Sequence, residues 1–175
     1  NGGARGRNEA TGKGTYHSYA WLMSHWLPQH LEKSWVGSLK TRQFNTLKQL
    51  REQSSAENPM RVAIQGFGNV GSVIAEEAVI CENTHNRVVA VSDANVTLLN
   101  EQGLDIKNLK KFAENGGLLP VNEDELKIAG VEAKIMAPSE VLTLDIDVLF
   151  LAAIEDQLTE RNMEQVQAKL VVEGA

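Results

Sequence analysis

The chain has 175 residues, of which 42% are hydrophobic and 23% charged, a composition typical of one globular domain with its own core. Its single cysteine, Cys81, excludes an internal disulfide framework, and no apolar run approaches the roughly 20 residues that span a bilayer. The net charge of −6 is uneven: residues 1–60 carry eight Lys/Arg and four Asp/Glu (+4), and residues 61–175 carry nine and nineteen (−10). These features predict a soluble, cytoplasmic protein with no membrane partner.

The basic first third of the chain also contains three tryptophans, a combination that occurs in nucleic-acid-binding surfaces. Its cations are scattered, however, and phosphate binding requires several clustered positive charges. Trp21, Trp26 and Trp35 stand among other apolar residues. We therefore predict no nucleic-acid partner.

The N-terminal segment divides into a glycine-rich part and a helical part. Residues 1–14 contain five glycines and are predicted to be a loop. From Thr15 the apolar residues recur every three or four positions, which predicts an amphipathic helix that ends at Pro28. The apolar face of this helix is Tyr16, Tyr19, Ala20, Met23 and Leu27. A shorter helix is expected around residues 44–50, so that residues 1–60 form an N-terminal segment packed on a domain of residues 61–175.

After residue 60, short apolar strands alternate with helices. Strands are predicted at residues 61–65, 88–92, 148–151 and 170–173, and helical segments at 69–82, 106–114 and 139–142. Continuous apolar strands are typical of a parallel sheet that is covered on both faces. The alternation indicates βαβ units, and the predicted fold class is therefore α/β, a Rossmann-type doubly wound parallel sheet with an N-terminal helical segment.

A glycine-rich turn between the first of these strands and its helix predicts a dinucleotide site. Residues 66–71, GFGNVG, match the pattern G-x-G-x-x-G, and Asp93 ends the next strand 22 residues after Gly71. That distance is close to the roughly 20 residues expected for an acid that binds a ribose. The predicted cofactor-binding residues here are Gly66, Phe67, Gly68, Asn69, Val70, Gly71 and Asp93.

Each part of this pattern has a physical reason. Gly66 permits a tight turn, Gly68 lets the backbone approach a pyrophosphate, and Gly71 lets the helix pack closely on the sheet. The helix N-terminus offers unpaired N–H groups to the phosphates. The alternative is that the glycines serve only a tight connection and that Asp93 caps a turn. A carboxylate at Asp93 disfavours a 2′-phosphate, so we predict NAD as the cofactor, with NADP as the alternative.

Six blocks of sequence carry a more specific resemblance. They are GGARGR–EATGKG within residues 2–14, VAIQGFGNVG (62–71), VVAVSD (88–93), QGLD (102–105), DIDVLFLAA followed by EDQLTE (145–160), and KLVVEGA (169–175). In this order they resemble the cofactor-binding half of glutamate dehydrogenases, in the Glu/Leu/Phe/Val dehydrogenase superfamily. Only residues 28–60 lie outside the resemblance.

The resemblance implies roles for residues near the nicotinamide. Thr11 corresponds to a threonine that contacts the nicotinamide carboxamide, and Arg7 to an arginine that faces the cleft. Ala152 and Ala153 would border the nicotinamide ribose at the end of a strand, in agreement with ligand binding beyond the carboxyl ends of strands. From the residues alone, Arg7 would instead bind backbone carbonyls and Thr11 would be a helix N-cap.

Two positions depart from the family pattern. Asp156 stands where the family has asparagine, and Leu151 where it has proline. An ionised aspartate only accepts hydrogen bonds, so a contact from Asp156 to an acceptor on the cofactor would be lost. Asp156 nevertheless belongs to the predicted cofactor site.

The implied function is NAD(P)-dependent oxidative deamination of L-glutamate to 2-oxoglutarate and ammonia. A leucine/phenylalanine-type dehydrogenase and a non-catalytic dinucleotide-sensing module are the alternatives. The family's catalytic lysine and aspartate come from a substrate domain that we do not find in the chain. We therefore expect a fragment that is inactive alone, with no catalytic residue of its own, an amino-acid substrate bound through the other domain, and a homo-oligomeric full-length protein.

No metal site is predicted. The four histidines lack the spacing of zinc ligands, and one cysteine cannot form a zinc cluster. The histidines are His17, His25, His30 and His85. Cys81 lies on the apolar face of a predicted helix and is expected to be a core residue rather than a nucleophile.

Overall fold

The chain forms a six-stranded sheet with helices packed against it. The structure is a computed structural model that describes residues 7–30, 42–154 and 157–174, with side chains from Glu9 onward. The helices are α1 (Arg7–Trp21), α2 (Arg42–Gln53), α3 (Gly71–Ile80), α4 (Ile106–Gly116) and α5 (Glu123–Ala129). The strands are β1 (Met60–Gln65), β2 (Asn86–Ser92), β3 (Thr97–Leu99), β4 (Lys134–Met136), β5 (Val148–Leu151) and β6 (Leu170–Glu173).

The strand order is β4-β3-β2-β1-β5-β6. Strands β2, β1, β5 and β6 are parallel neighbours, whereas β3 is antiparallel to both β2 and β4. Strand β2, the next strand in the chain after β1, lies on one side of β1, and β5 lies on the other side. In open α/β sheets a ligand crevice forms where the strand order reverses in this way, beyond the carboxyl ends of the strands.

Apolar side chains cover both faces of the central strands. One core joins β1, β2 and β5 to α1, α3 and α4 through residues such as Ile64, Ile74 and Leu109. A second, smaller core on the opposite face contains Ala63 and Leu149, which pack with Val141 of the short 3-10 helix Pro138–Thr143. The α/β, doubly wound arrangement predicted from the sequence is confirmed, with most of the sheet parallel.

Gly12 and Gly14 lie in α1, so the predicted loop over residues 1–14 is wrong from Arg7 onward, and residues 1–6 lie outside the described part. The reason is tertiary packing. A Cβ on Gly12 would lie 2.7 Å from the carbonyl oxygen of Val70 and 2.8 Å from Cβ of Val73, so only glycine lets α1 approach α3 this closely. Glycine lowers helix propensity by about 1 kcal/mol, a cost that helix–helix packing overrides here.

The predicted end at Pro28 is also wrong. After α1 the chain continues as a π-helix (Leu22–Trp26) and one further helical turn (Leu27–His30). A proline ring clashes with the carbonyl one turn before it in a regular α-helix, and here the turn before Pro28 is a wider π-helix. The predicted apolar face itself is confirmed, since Tyr16, Tyr19, Ala20, Met23 and Leu27 are all buried.

Three strands of the sheet, β3, β4 and β6, differ from the sequence-based expectation. Strands β3 and β4 were not predicted, because three residues give too short a pattern to recognise. Strand β6 is an edge strand on which half-buried and exposed residues alternate, so it is not covered on both faces.

Among the described helices, none is long and apolar enough to cross a membrane.

Candidate functional site

An open groove lies beyond the carboxyl ends of β1, β2 and β5, where the strand order reverses. Its volume is about 640 Å³. Its floor is the loop from Gly66 to Val70, one wall follows β2 at Asp93 and Ala94, and the other follows β5 at Ala152 and Ala153. A pocket of several hundred Å³ with a mostly apolar lining is typical of cofactor and small-molecule sites.

The three glycines of the loop have distinct surroundings. Gly66 has a φ of 90°, and a Cβ there would lie 2.8 Å from both the carbonyl oxygen of Ala152 and Cα of Ala153. A Cβ on Gly71 would overlap the carbonyl oxygen of Gly66. Gly68 has no heavy atom within 4 Å of its Cβ position and is exposed. Gly66 and Gly71 therefore shape the turn, whereas Gly68 leaves bare backbone on the floor of the groove.

The other loop residues divide between the groove and the core. Asn69 is exposed beside the groove at the start of α3. Phe67 lines the groove, but its side chain is buried in the larger core, and Val70 packs against that core. Phe67 and Val70 therefore offer a ligand mainly backbone and a hydrophobic surface.

Asp93 lies in the groove wall and is extensively hydrogen-bonded. Its Oδ1 accepts from the backbone N–H groups of Asn95 (2.8 Å) and Val96 (3.0 Å). Its Oδ2 accepts from the N–H of Leu119 at 2.8 Å. Asp93 is thus a turn-capping aspartate, which was the alternative interpretation of the sequence. Since a carboxylate has about four lone-pair sites, three backbone donors leave room for one ribose hydroxyl.

A pair of glutamines links the central strand β1 to the segment after β5. Gln65 is the last residue of β1, and its Nε2 donates to Oε1 of Gln157 at 2.6 Å. Gln65 is only 8% exposed, and its Oε1 is the one buried side-chain oxygen or nitrogen without a partner in the described part of the chain. An unpaired buried acceptor costs about 1–3 kcal/mol. The sequence analysis did not single out either glutamine.

Ala152 and Ala153 lie where the sequence predicted, directly after β5. The N–H of Ala152 donates to the carbonyl oxygen of Gln65 at 2.9 Å, which holds this segment against β1. Both alanines line the groove, and the next residue, Ile154, is 72% exposed at its edge. The segment therefore presents small and apolar side chains to whatever enters the groove.

Three predicted residues remain, Thr11, Arg7 and Asp156. Thr11 is exposed in the second turn of α1, so it is not the N-cap, and its carbonyl oxygen accepts from Oγ1 of Thr15. It is not among the residues that line the groove. Arg7 is the first residue of α1, with a side chain outside the described part, and Asp156 also lies outside it. The cofactor roles of these three residues stay predictions.

A smaller hollow of about 280 Å³ adjoins the groove between α1, α3 and α4. It shares Phe67, Gly68, Asn69 and Gly117 with the groove. Glu9 also lines it, and the hydrogen bond and charge of Lys13 hold the pKa of Glu9 below its usual range. Within the described residues, no three His, Cys, Asp or Glu side chains gather in a way that would hold a metal ion.

Sequence reasoning missed the groove residues that come from outside the recognised motifs. Gly117, Pro138, Ser139 and Leu142 reach the groove from the end of α4 and from the 3-10 helix. None of them carries a local signal, because their place depends on how distant loops meet at one edge of the sheet. Gln65 did have a signal: a polar residue that ends an otherwise apolar strand at a ligand-binding edge.

Comparison with known sequences identifies relatives for this arrangement. A sequence model of the glutamate/leucine/phenylalanine/valine dehydrogenase family matches residues 43–175. An NADP-specific glutamate dehydrogenase of Synechocystis sp. is 33% identical over 175 residues, which are 99% of this chain and 34% of the relative. A catabolic NAD-specific glutamate dehydrogenase of Bacillus subtilis is 35% identical over 115 residues, 66% of this chain and 24% of the relative.

A solved structure shares the fold. The hetero-hexameric glutamate dehydrogenase from Thermus thermophilus, in a leucine-bound form, matches with a TM-score of 0.63 and 29% identity. The match covers 98% of this chain and 31% of that one. The chain thus spans about a third of the length of these relatives, or less.

Proposed function

Because this chain belongs to the glutamate/leucine/phenylalanine/valine dehydrogenase family, we propose that its groove binds a nicotinamide dinucleotide for an amino-acid dehydrogenase. Residues 61–175 would form the dinucleotide-binding domain, with residues 1–60 packed on it. The observation that carries the proposal is the bare backbone of Gly68 at the start of α3, on the floor of a groove at the ends of β1, β2 and β5. Backbone N–H groups and the helix dipole favour phosphate there.

The groove has room for a dinucleotide that crosses the glycine loop. The pyrophosphate would lie over the segment from Gly66 to Gly71, at the N-terminus of α3. The adenosine ribose would lie toward Asp93, and the nicotinamide toward Ala152, Ala153 and Gln157. When bound, the nicotinamide supplies the hydride acceptor, and the chain's task is to orient its C4 and exclude water.

The described residues favour NAD over NADP. The carboxylate of Asp93 is fixed in the groove wall by three backbone donors, so it cannot easily turn away from a 2′-phosphate. Among the described residues that line the groove there is no lysine, arginine or histidine to neutralise such a phosphate. Since the relatives include NAD-specific and NADP-specific enzymes, the preference rests on these side chains.

For the whole protein we propose reversible oxidative deamination of an L-amino acid, with glutamate as the substrate, by analogy with the relatives named above. A further domain would bind the amino acid and supply the acid–base groups. Assembly into an oligomer is proposed on the same basis, since the Thermus thermophilus relative is a hetero-hexamer.

A calorimetric titration of the chain with NAD and with NADP tests the proposal, and Asp93→Asn tests its specificity. Asparagine keeps an oxygen for the turn but removes the charge. We expect NAD to bind more tightly than NADP. The Kd for NADP divided by the Kd for NAD should be about tenfold smaller in Asp93→Asn, because a repulsion of roughly 1.4 kcal/mol between Asp93 and the 2′-phosphate is removed.

Asp105→Asn is the matched control for this titration. Asp105 caps α4 through a 2.9 Å bond from the N–H of Asn108 and does not line the groove, so this variant should leave the ratio unchanged. Tighter binding of NADP than of NAD by the unmodified chain would contradict the cofactor preference. Failure of both cofactors to bind would overturn the proposed site.

A further inference from the structure

The glutamine pair at the end of β1 has an unbalanced set of hydrogen bonds. Gln65 donates from Nε2 to Gln157, but its own Oε1 is buried and accepts nothing in the described part of the chain. If the Gln65 amide were turned over, its Nε2 would take the unpaired position instead. Because buried polar groups in native proteins are nearly always paired, we expect one end of this amide to have a partner that the described residues do not supply.

The position of the pair indicates what kind of partner is missing. Gln65 and Gln157 both line the groove, and their hydrogen bond connects the central strand β1 to the segment after β5, which lies across β1 from the strand that Asp93 follows. If the dinucleotide lies as proposed above, this is the nicotinamide end. The nicotinamide ring carries a primary amide, which has both a donor and an acceptor, like a glutamine side chain.

A primary amide can complete this arrangement, whereas a simple acceptor cannot. Gln65 Oε1 has no surface open to solvent, so an incoming group reaches it only when a neighbour moves, and Gln157 is a half-buried neighbour bonded to the same amide. An amide that takes the place of Gln157 accepts from Gln65 Nε2 and also donates to Gln65 Oε1. For the Gln65 amide, the exchange replaces one hydrogen bond with two.

We infer that Gln65 is a specificity-determining residue that selects dinucleotides whose ring carries a primary amide, by pairing with that amide in place of Gln157. The inference rests on the proposed dinucleotide function and adds a residue to its nicotinamide end.

The test compares NAD with 3-acetylpyridine adenine dinucleotide, in which a methyl ketone replaces the amide and removes its N–H donor. Kd values for both ligands and for ADP-ribose are measured by calorimetry on the 175-residue chain, on Gln65→Met and on Gln167→Met. Methionine has a similar length to glutamine and no amide. Gln167 is a matched control, since its Nε2 also donates one hydrogen bond (3.1 Å, to the carbonyl oxygen of Thr143), but it lies outside the groove.

We expect the unmodified chain and Gln167→Met to bind NAD roughly two- to twelvefold more tightly than the ketone analogue, the range for one neutral hydrogen bond. In Gln65→Met the two ligands should bind equally. Equal binding of both ligands to the unmodified chain would overturn the inference whether or not Gln65→Met folds. A preference that persists in Gln65→Met would overturn it as well.

The ADP-ribose titration separates the inference from the proposed function. If ADP-ribose, NAD and the analogue all bind with similar Kd values, the dinucleotide site stands and the role of Gln65 fails. If none of the three binds, both fail.

Discussion

Gly66 and Gly68 are two residues apart in one loop, yet they meet different surroundings. Gly66 has a left-handed backbone and is pressed against the residues that follow β5, while the Cβ position of Gly68 faces open space. The first glycine is required for the turn to form. The second is required only for the approach of a ligand. Substitution by alanine therefore separates stability from binding within the same motif.

We predict that Gly66→Ala lowers the free energy of unfolding by at least about 2 kcal/mol, from backbone strain and from contact with Ala152 and Ala153. Gly68→Ala should leave that free energy within about 0.5 kcal/mol of the unmodified chain but weaken NAD binding, because a methyl group then occupies the groove floor. Urea denaturation and calorimetric titration measure the two effects. A stable Gly66→Ala variant would contradict this account of the turn.

At the scale of elements, the contact between α1 and α3 decides the structure of the N-terminal segment. Gly12 faces α3, where a Cβ would lie 2.7 Å from the carbonyl oxygen of Val70, whereas the Cβ position of Gly14 has no neighbour within 4 Å. The two glycines lie in one helix and differ only in the side that they face. A similar close approach occurs at Gly174 after β6, where a Cβ would lie 2.6 Å from Oγ1 of Thr15.

Alanine substitutions distinguish these two helical glycines. Gly14→Ala is expected to raise the free energy of unfolding by about 0.5–1 kcal/mol, because alanine is the better helix former and nothing obstructs its methyl group. Gly12→Ala is expected to lower it by about 1–3 kcal/mol, because the added methyl group separates α1 from α3. Thermal unfolding of both variants checks the prediction, and the same sign of change in both would show that α1 does not pack as described.

At the scale of the whole molecule, a buried cluster of hydroxyl and amide groups joins α1 to the start of β2. The hydroxyl groups of Tyr16 and Thr84 are 2.6 Å apart, and the Tyr19 hydroxyl donates to Oδ1 of Asn86 at 2.9 Å. Asn86 in turn donates from Nδ2 to the Tyr16 hydroxyl. Both tyrosines are buried, and burial raises the pKa of each hydroxyl well above its usual range.

This cluster predicts a loss of stability at alkaline pH. Tyrosine in the unfolded chain ionises near pH 10, whereas the raised pKa keeps the buried hydroxyls neutral in the fold. The two buried hydroxyls therefore contribute fully to the free energy of unfolding below about pH 10. As the pH rises from there toward the folded-state pKa, that free energy falls by roughly 1.4 kcal/mol per pH unit for each tyrosine. Tyr19→Phe should have a correspondingly shallower decline between pH 10 and 11 in urea denaturation. Equal slopes for the two proteins would rule out this linkage, because lysine ionisation affects both alike.

The sequence alone was sufficient for most of the fold and for the glycine loop that forms the floor of the groove. The strands β1, β2, β5 and β6, the helix around Leu47 and Leu50, and the apolar face of α1 follow from the spacing of apolar residues, which is a local property. The turn over residues 66–71 was also predicted from the sequence, because glycine is the residue that permits positive φ and close backbone approach.

Tertiary structure decided what depends on residues far apart in the chain. Helix α1 includes Gly12 and Gly14 because it packs on α3, and helical structure continues past Pro28 through a π-turn. Asp93 caps a local turn through Asn95 and Val96, but its second carboxylate oxygen is held by Leu119, 26 residues later. Gln65 is a candidate ligand-binding residue because Gln157, 92 residues later, pairs with its Nε2 while its Oε1 has no partner in the described part of the chain. Local patterns set propensity and chemistry, but which groups meet is set by the packing of the whole chain.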